Sequence, residues 1–302
     1  MTINKKIYTS LLVVVISLFY STVNSFPLIP RITNYTVNDY KAGNQNWSVT
    51  QDSEGRTYFG NNKGVLEFDG QRWVLYTLPN NDIVRCVYYS HDNKLYVGSY
   101  EEFGYFTRDN HNQLKYTSLT GLLQNFKFNN EEIWNILEYN GKVYFQYFST
   151  YFEYDGRSIS VKSGFAPLNM FIYRGSMYSQ RVNEDLFIYK DNRFVSAIQR
   201  SKYGNNDIIA ILPNINNSLL LTRNKGIYEL NISDSSIKTW SNEINEELKS
   251  ATINNAIITK DSCYIIGTLS NGVYALNSKL LWKINTVEGL KNNTVLSLSC
   301  DN

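Results

Sequence analysis

The sequence predicts an all-β fold, a β-propeller of four-stranded antiparallel blades, because one phrase recurs along the chain. The phrase is clearest at residues 49–60 and 64–70, where a strand, a polar turn, a second strand ending in a small residue and a third strand closed by Asp-Gly follow one another. It returns at a spacing of roughly 34–47 residues, and periods of about 40–45 residues with several short strands are typical of propellers. The 15% aromatic content suits stacked blades.

The repeats align on their turns, which are rich in Asn, Asp and Gly as hairpin turns are. The β-branched and aromatic bias after each turn indicates strands. The predicted second strands lie at 57–60, 95–98, 143–146, 177–180, 219–222 and 264–267, and the third strands at 65–68, 104–106, 151–154, 186–189, 227–230 and 273–276. Fourth strands are clearest at 73–76 and 238–240. No long helical period follows residue 30, and the best short helix candidate is 241–250.

These repeats predict about six complete blades, from Asn46 to roughly Lys291, plus the start of a seventh. Residues 294–302 have the pattern of a first strand and align with 46–52. A blade with one strand leaves edges unpaired, which propellers avoid. We therefore expect the chain to be the front part of a longer protein, with the last blade truncated.

The N-terminus has the pattern of an export signal. Lys5 and Lys6 precede an apolar run at 7–20, and small residues precede Phe26. So short an apolar core after a basic start indicates a signal peptide at 1–25, with an uncleaved anchor as the alternative. The sequence then divides into an N-terminal segment at 26–45, a candidate closing strand, and the propeller at 46–302. We expect the propeller to be periplasmic.

Composition argues against several function classes. The net charge of +2 comes from the two leader lysines, so the rest of the chain is neutral. Nucleic-acid binding needs clustered Lys and Arg, and we expect none by this segment. Cys86, Cys263 and Cys300 are far apart, without metal-binding spacing, and are predicted to be buried small apolar residues. We expect no cofactor.

Catalytic chemistry has little support in the sequence. His91 and His111 both lie in turns, without a second histidine or a carboxylate at ligand spacing, so neither a metal site nor a Ser-His-Asp site is predicted. Glu101 and Glu102 are adjacent, and neighbouring strand residues point to opposite faces. They are therefore not a ready acid/base pair, and we predict no enzymatic activity.

A ligand is expected on the face formed by the loops between second and third strands. These loops mix aromatic, amide and charged side chains, which suit a small polar ligand such as an oligosaccharide, although a plain solvated surface has the same composition. The candidate ligand-binding residues are Asn61, Lys63, Tyr100, Glu101, Glu102, Tyr147, Arg181, Asn183, Arg223, Lys225 and Asn271.

Residues 30–48, 58–70 and 97–106 resemble the periplasmic sensor region of Bacteroidetes two-component-regulator propeller proteins, which usually carry a triple-tyrosine domain after the propeller. The resemblance extends over 28–302 and weakens from 131 to about 204. It implies a ligand- or partner-sensing propeller of a membrane-spanning transcriptional or two-component regulator, present without its output domain. It also implies homodimers, membrane attachment only through parts after the propeller, and a strand donated to the last blade by residues 31–37.

Two other classes of protein stay open at this stage. One is an exported glycan-cleaving propeller, in which Glu101 and Glu102 would be needed for hydrolysis. The other is an exported scaffold that binds a protein, in which the open edge at 294–302 would be capped by another chain.

Overall fold

The computed structural model describes residues 30–80 and 82–300. The chain divides into two compact units, residues 1–32 and 33–302. Of the first unit only residues 30–32 are described, and they have no regular secondary structure. The predicted signal peptide therefore lies outside the described residues. All elements below belong to the second unit.

The second unit is a β-propeller of six sheets, each with four antiparallel strands paired in chain order, as the sequence predicts. The first strands of successive sheets contact one another around the centre, so they are the innermost strands. The sheets, blades 1 to 6, consist of β1 Asn46–Gln51, β2 Thr57–Asn61, β3 Gly64–Phe68, β4 Trp73–Tyr76; β5 Val84–Tyr89, β6 Leu95–Ser99, β7 Phe103–Arg108, β8 Leu114–Ser118; β9 Asn135–Tyr139, β10 Lys142–Gln146, β11 Tyr151–Tyr154, β12 Ile159–Val161; β13 Asn169–Tyr173, β14 Ser176–Gln180, β15 Leu186–Lys190, β16 Arg193–Ile198; β17 Ile208–Pro213, β18 Ser218–Thr222, β19 Gly226–Asn231, β20 Ser236–Thr239; and β21 Ile253–Ile258, β22 Tyr264–Thr268, β23 Val273–Leu276, β24 Leu280–Ile284.

Helices are short and lie between the blades. Helix α1, Val37–Tyr40, precedes blade 1, and α2, Asn245–Ala251, lies between blades 5 and 6, inside the stretch predicted to be helical apart from its last residue. Two 3₁₀ turns, Thr120–Leu122 and Arg200–Lys202, occupy other connections between blades. No helix among the described residues is long and apolar enough to cross a membrane.

Each junction between consecutive blades has its own apolar cluster. Between blades 2 and 3, for example, Phe103 of β7 stacks on Phe152 of β11 with 4.9 Å between ring centres, and Phe145 of β10 lies 4.5 Å away. Comparable clusters fill the junctions of blades 1 and 2, 3 and 4, 4 and 5, and 5 and 6. Burial of apolar surface therefore stabilises the fold blade by blade.

The small residue at the end of the second strand is where the next blade approaches most closely. A Cβ on Gly60 would lie 2.9 Å from the backbone oxygen of Val84, and one on Gly98 would lie 2.5 Å from the Ile133 side chain. Val84 and Ile133 both lie at or just before the start of the innermost strand of the next blade. Glycine is needed here for the contact between blades rather than for a turn.

Blades 3 and 4 replace this glycine with glutamine and use hydrogen bonds instead. The Gln146 Nε2 donates to the backbone oxygens of Pro167 and Leu168, at 3.3 and 3.0 Å. The equivalent Gln180 receives a hydrogen bond from the Ile208 N–H at 2.7 Å. These two blades lie in the part of the chain where the sequence repeat is weakest. Their contacts with the next blade are made by glutamine hydrogen bonds and not by close packing against a glycine.

The segment after blade 6 lies where the innermost strand of a seventh blade would start. The Val295 N–H donates to the Thr268 oxygen at 2.8 Å, as the Ile133 N–H does to the Ser99 oxygen at 2.9 Å. Val295 also lies 2.6 Å from the position of a Cβ on Gly267, the counterpart of Gly98. Residues 294–300 form no strand, although Leu298 also lies close to blade 6, 3.4 Å from the position of a Cβ on Gly267.

Two expectations need revision. Residues 31–36 form no strand, and Val37 starts helix α1; Tyr40 and Ala42 of this segment instead join Leu66 in an apolar cluster on blade 1. Cys86 and Cys263 are buried as predicted, but Cys300 is exposed. The prediction for Cys300 is wrong because burial of that position needs the neighbouring strands of its blade.

The turn that opens the repeat is built around Asp52, as its sequence indicates. Its Oδ1 accepts the N–H groups of Glu54 and Arg56, both at 2.9 Å, and its Oδ2 accepts the Tyr58 hydroxyl at 2.8 Å. Gly55 has a positive φ of 82°. Burial raises the pKa of Asp52, but the hydrogen bonds from Tyr58 and Arg56 outweigh it and hold the pKa below its ordinary value.

Gly98→Ala should destabilise the protein by about 1–3 kcal/mol, because the new methyl group has no space against Ile133 and Cys86. Gly121→Ala is the matched control, since a Cβ there meets nothing within 4 Å. The measurement is the urea midpoint of unfolding for both variants. Equal midpoints would contradict the close-approach role of Gly98.

Asp52→Asn should lower stability at neutral pH by about 1–3 kcal/mol, since Arg56 and Tyr58 lose a charged acceptor. Because the pKa of Asp52 is lower in the folded chain, the unfolded chain binds a proton at this residue at a higher pH than the folded chain does. The contribution of Asp52 to stability is therefore present above about pH 4 and is lost as the pH falls further. Stability measured from pH 7 to pH 3 should therefore fall less in the variant than in the wild type. The exposed turn variant Asp191→Asn should follow the wild-type curve, and parallel curves for all three would refute the assignment.

Candidate functional site

A cavity of about 390 Å³ lies at the centre of the face where the innermost strands begin. Every blade supplies a residue to it, and the segment after blade 6 supplies another. The lining residues are Trp47, Arg85, Trp134, Phe148, Leu168, Arg223, Asn254 and Leu296. Loops between second and third strands reach the same face through Phe148 and Arg223. The cavity is therefore the central opening of the propeller.

A bulge at the same position of four innermost strands aims side chains at this centre. In β1, Asn46 pairs with Asn61 but Ser48 pairs with Gly60, so Trp47 is the additional residue. The same register shift makes Arg85, Ile209 and Asn254 the additional residues of β5, β17 and β21. A bulge turns one side chain away from the regular alternation. Three of these four residues line the central cavity.

Arg85 lies between two indole rings on the cavity wall. Its guanidinium carbon is 3.9 Å from the centre of the Trp47 ring and 5.1 Å from that of Trp134. Its Nε donates to Glu132 Oε2 at 2.7 Å. The Trp47 Nε1 is itself fixed by a 2.6 Å hydrogen bond to Asn62 Oδ1. The rings and the carboxylate together hold the cation in one orientation.

Arg223 supplies a second cation at the same opening. Its Nε lies 3.3 Å from Asp207 Oδ2, and its Nη1 lies 3.3 Å from Asn254 Oδ1. The Asn254 Nδ2 donates to the Val295 oxygen at 2.9 Å. Asn254 therefore connects Arg223 of blade 5 to the segment after blade 6, and the lining of the cavity is continuous there.

An aromatic platform and a second cavity complete the site. Trp134 and Phe148 contact each other at 5.2 Å between ring centres, and their side chains are 38% and 44% exposed. A cavity of about 240 Å³ adjoins the central one, since Trp134, Leu168, Arg223 and Asn254 line both. Its other walls carry amide groups, those of Asn135, Gln146, Asn169 and Asn255. The arrangement offers stacking, two guanidiniums and several amides to a bound molecule.

Of the eleven residues predicted from the loops, the structure places Arg223 alone on the central cavity. Asn61 and Tyr147 are buried: Asn61 accepts the Gly43 N–H at 2.8 Å, and the Tyr147 hydroxyl accepts the Asn129 N–H at 2.9 Å. Burial raises the pKa of Tyr147. Within that loop it is Phe148, one residue further on, that faces the cavity.

The other predicted residues do not line the central cavity, and several of them bond to a neighbouring strand or connection. Glu102 accepts the hydroxyls of Tyr116 and Ser118 at 2.6 and 2.7 Å, and Glu101 accepts the Asn130 N–H at 2.7 Å. The remaining contacts are Tyr100 with Asn130, Arg181 with Glu184, Asn183 with Arg200, and the Asn271 N–H with Thr268, while Lys63 and Lys225 are exposed. The structure does not bring these residues together in one cavity.

No group of three potential metal ligands occurs among residues 30–80 and 82–300. His91 contacts Glu138 through Nδ1 on the opposite face of the blades, a pairing that the sequence analysis missed. Trp47, Arg85, Trp134 and Asn254 line the cavity and were not predicted from the sequence. Aligning the starts of the innermost strands, instead of the turns, would have placed Trp47, Arg85 and Asn254 at one repeat position.

No protein-family model and no curated protein match this chain. Solved structures do. The extracellular domain of the hybrid two-component system BT4673 from B. thetaiotaomicron matches with a TM-score of 0.65 and 17% identity, over 86% of this chain and 36% of that one. Virginiamycin B lyase from Staphylococcus aureus matches with a TM-score of 0.63 and 12% identity, over 82% and 85%. The WD40 propeller domain of Doa1 matches at 0.62 and 10%, over 84% and 86%.

These similarities show a shared β-propeller fold. The similarity to BT4673 agrees with the resemblance to Bacteroidetes regulator propellers read from residues 30–106 of the sequence. The match covers 36% of the BT4673 domain, so this chain spans about a third of its length.

Proposed function

We propose that this chain is the periplasmic sensing propeller of a membrane-spanning transcriptional or two-component regulator, and that it binds a small polar ligand in the central cavity. The observation that carries the proposal is the convergence of all six blades on one cavity with exposed aromatic rings and two arginines. A concave site with an apolar wall and a few fixed polar groups is the usual form of a ligand pocket. The fold shared with an extracellular domain of a two-component system supports the regulatory role.

A site at the centre is also suited to signalling. A ligand there touches residues from every blade, so its binding free energy depends on how the blades are arranged around it. A ligand shifts a conformational equilibrium only through such differential contacts. The segment at Val295 and Leu296, which Asn254 holds at the cavity, would be the first part beyond blade 6 to respond. In a homodimer, the conformational change caused by the ligand would be passed to a second copy of the propeller.

The glycan-cleaving alternative has less support from the site. The carboxylates nearest the cavity are paired with cations, Glu132 with Arg85 at 2.7 Å and Asp207 with Arg223 at 3.3 Å. Glycoside cleavage uses two carboxyl groups that flank the scissile bond, and both of these carboxylates are engaged by an arginine. For virginiamycin B lyase a His-to-Ala variant is catalytically inactive. In this chain neither His91 nor His111 lines the cavity.

A panel of neutral and acidic oligosaccharides should contain at least one member that raises the melting temperature, because a ligand of the folded state stabilises it. The double variant Trp134→Ala/Phe148→Ala should lose at least ten-fold in affinity for that sugar, since stacking is removed. Val182→Ala is the control, an exposed apolar residue of another loop on this face. Absence of any stabilising sugar, or full binding by the double variant, would refute a saccharide site at the cavity.

The DNA beyond codon 302 should encode the missing strands of a seventh blade, a triple-tyrosine domain, a membrane helix and an output domain. This follows from the regulator architecture and from the position of Val295 at the start of a seventh blade. Sequencing the locus decides the matter. A terminator directly after this codon would overturn the regulator role and favour an exported binding scaffold.

A further inference from the structure

The guanidinium of Arg85 has one buried nitrogen that no described residue satisfies. Its Nε is bonded to Glu132 at 2.7 Å, but its Nη1 is buried without a hydrogen-bond partner. The side chain is 16% exposed and lines the central cavity. Buried donors of a charged group are normally paired, and an unpaired one calls for an acceptor from outside the chain. A carboxylate is the acceptor that the planar guanidinium binds best.

The charges around Arg85 permit an anion there. Glu132 engages only Nε, so the rest of the guanidinium remains for a second acceptor. Arg223, on the same cavity, is held by its own carboxylate only through a 3.3 Å contact with Asp207. The wall therefore presents two cations, and Nη1 of Arg85 has no partner among the described residues and remains for a bound anion.

An unpaired acceptor lies in the adjoining cavity. The Gln146 side chain is 3% exposed, its Nε2 is used by the oxygens of Pro167 and Leu168, and its Oε1 has no partner. In the equivalent Gln180 the Oε1 is satisfied by the Ile208 N–H at 2.7 Å. The Oε1 of Gln146 therefore lacks the donor that the Oε1 of Gln180 has. A hydroxyl group of a bound molecule is a suitable donor for it.

The exposed platform of Trp134 and Phe148 lies beside both groups, since Trp134 lines both cavities and stacks against Arg85. A flat apolar face with polar groups at its edge is what a sugar ring needs, because the ring has C–H groups on one face and hydroxyls around its rim. A neutral sugar would satisfy the platform and Gln146 but would offer Arg85 only uncharged hydroxyl acceptors, which bind a guanidinium more weakly than a carboxylate does.

We propose that the ligand is an oligosaccharide containing a uronic acid. Its carboxylate binds Arg85, one of its hydroxyls donates to Gln146, and its ring stacks on Trp134. This inference rests on the proposed function, because it names the ligand class of the same cavity. The negative charge of the ligand distinguishes this proposal from a site for a neutral sugar.

The test is calorimetric titration of the purified chain with oligomers of galacturonic, glucuronic and mannuronic acid, each compared with its methyl ester. The ester keeps the sugar and removes the charge. At least one acid should bind, at least ten-fold more tightly than its ester. The double variant Arg85→Gln/Glu132→Gln, which leaves no unpaired carboxylate, should lose that ten-fold preference for the acid over its ester. Arg157→Gln, an exposed turn residue between β11 and β12, should change neither.

A measurement on the wild-type chain guards against misfolding of the double variant. Raising NaCl from about 20 to about 200 mM should weaken binding of the acid and leave binding of the ester unchanged, because salt screens the charge contact. Equal affinity of acid and ester would overturn the uronic-acid inference and leave the sensor proposal intact. Binding of neither form, together with no binding of neutral sugars, would overturn both.

Discussion

The close approach of each blade to the innermost strand of the next is the constraint on which the structure depends. At Gly60, Gly98 and Gly267 there is no space for a side chain, because Val84, Ile133 and Val295 occupy it. Where glutamine replaces glycine, its amide bonds the backbone of the next blade instead. Both solutions fix the distance between neighbouring inner strands, and this distance determines the width of the central opening. The geometry of the cavity is thus a consequence of packing between blades.

The sequence predicts the blades well because their signals are local. Turn residues, alternating aromatic and β-branched residues and a small residue at the end of the second strand recur in order, and each reflects a short-range requirement for a hairpin. The helix at Asn245–Ala251 and the turn built on Asp52 are predicted for the same reason. Cys300 and the segment at 294–300 are predicted less well, because burial and strand pairing depend on contacts with other strands and not on the local residue pattern.

The site is predicted only in part, and the reason is geometric. The central cavity lies on the predicted loop face, since Arg223 and Phe148 come from the loops between second and third strands, but loop composition does not say which residues point inwards. A bulge at one position of β1, β5, β17 and β21 decides that, and a bulge shows in backbone pairing, not in residue type. The tryptophans and arginines at the centre come from four different blades and are far apart in sequence, from Trp47 to Arg223. They become one site only when the blades close around the axis.

The measurement that tests the central claim most directly is fluorine NMR of the chain labelled with fluorotryptophan. The five tryptophans divide cleanly, because Trp47 and Trp134 line the central cavity while Trp73, Trp240 and Trp282 lie in the blades. A bound oligosaccharide should shift the resonances of Trp47 and Trp134 and leave the other three in place. Shifts confined to Trp73, Trp240 or Trp282 would contradict a ligand site at the centre of the propeller.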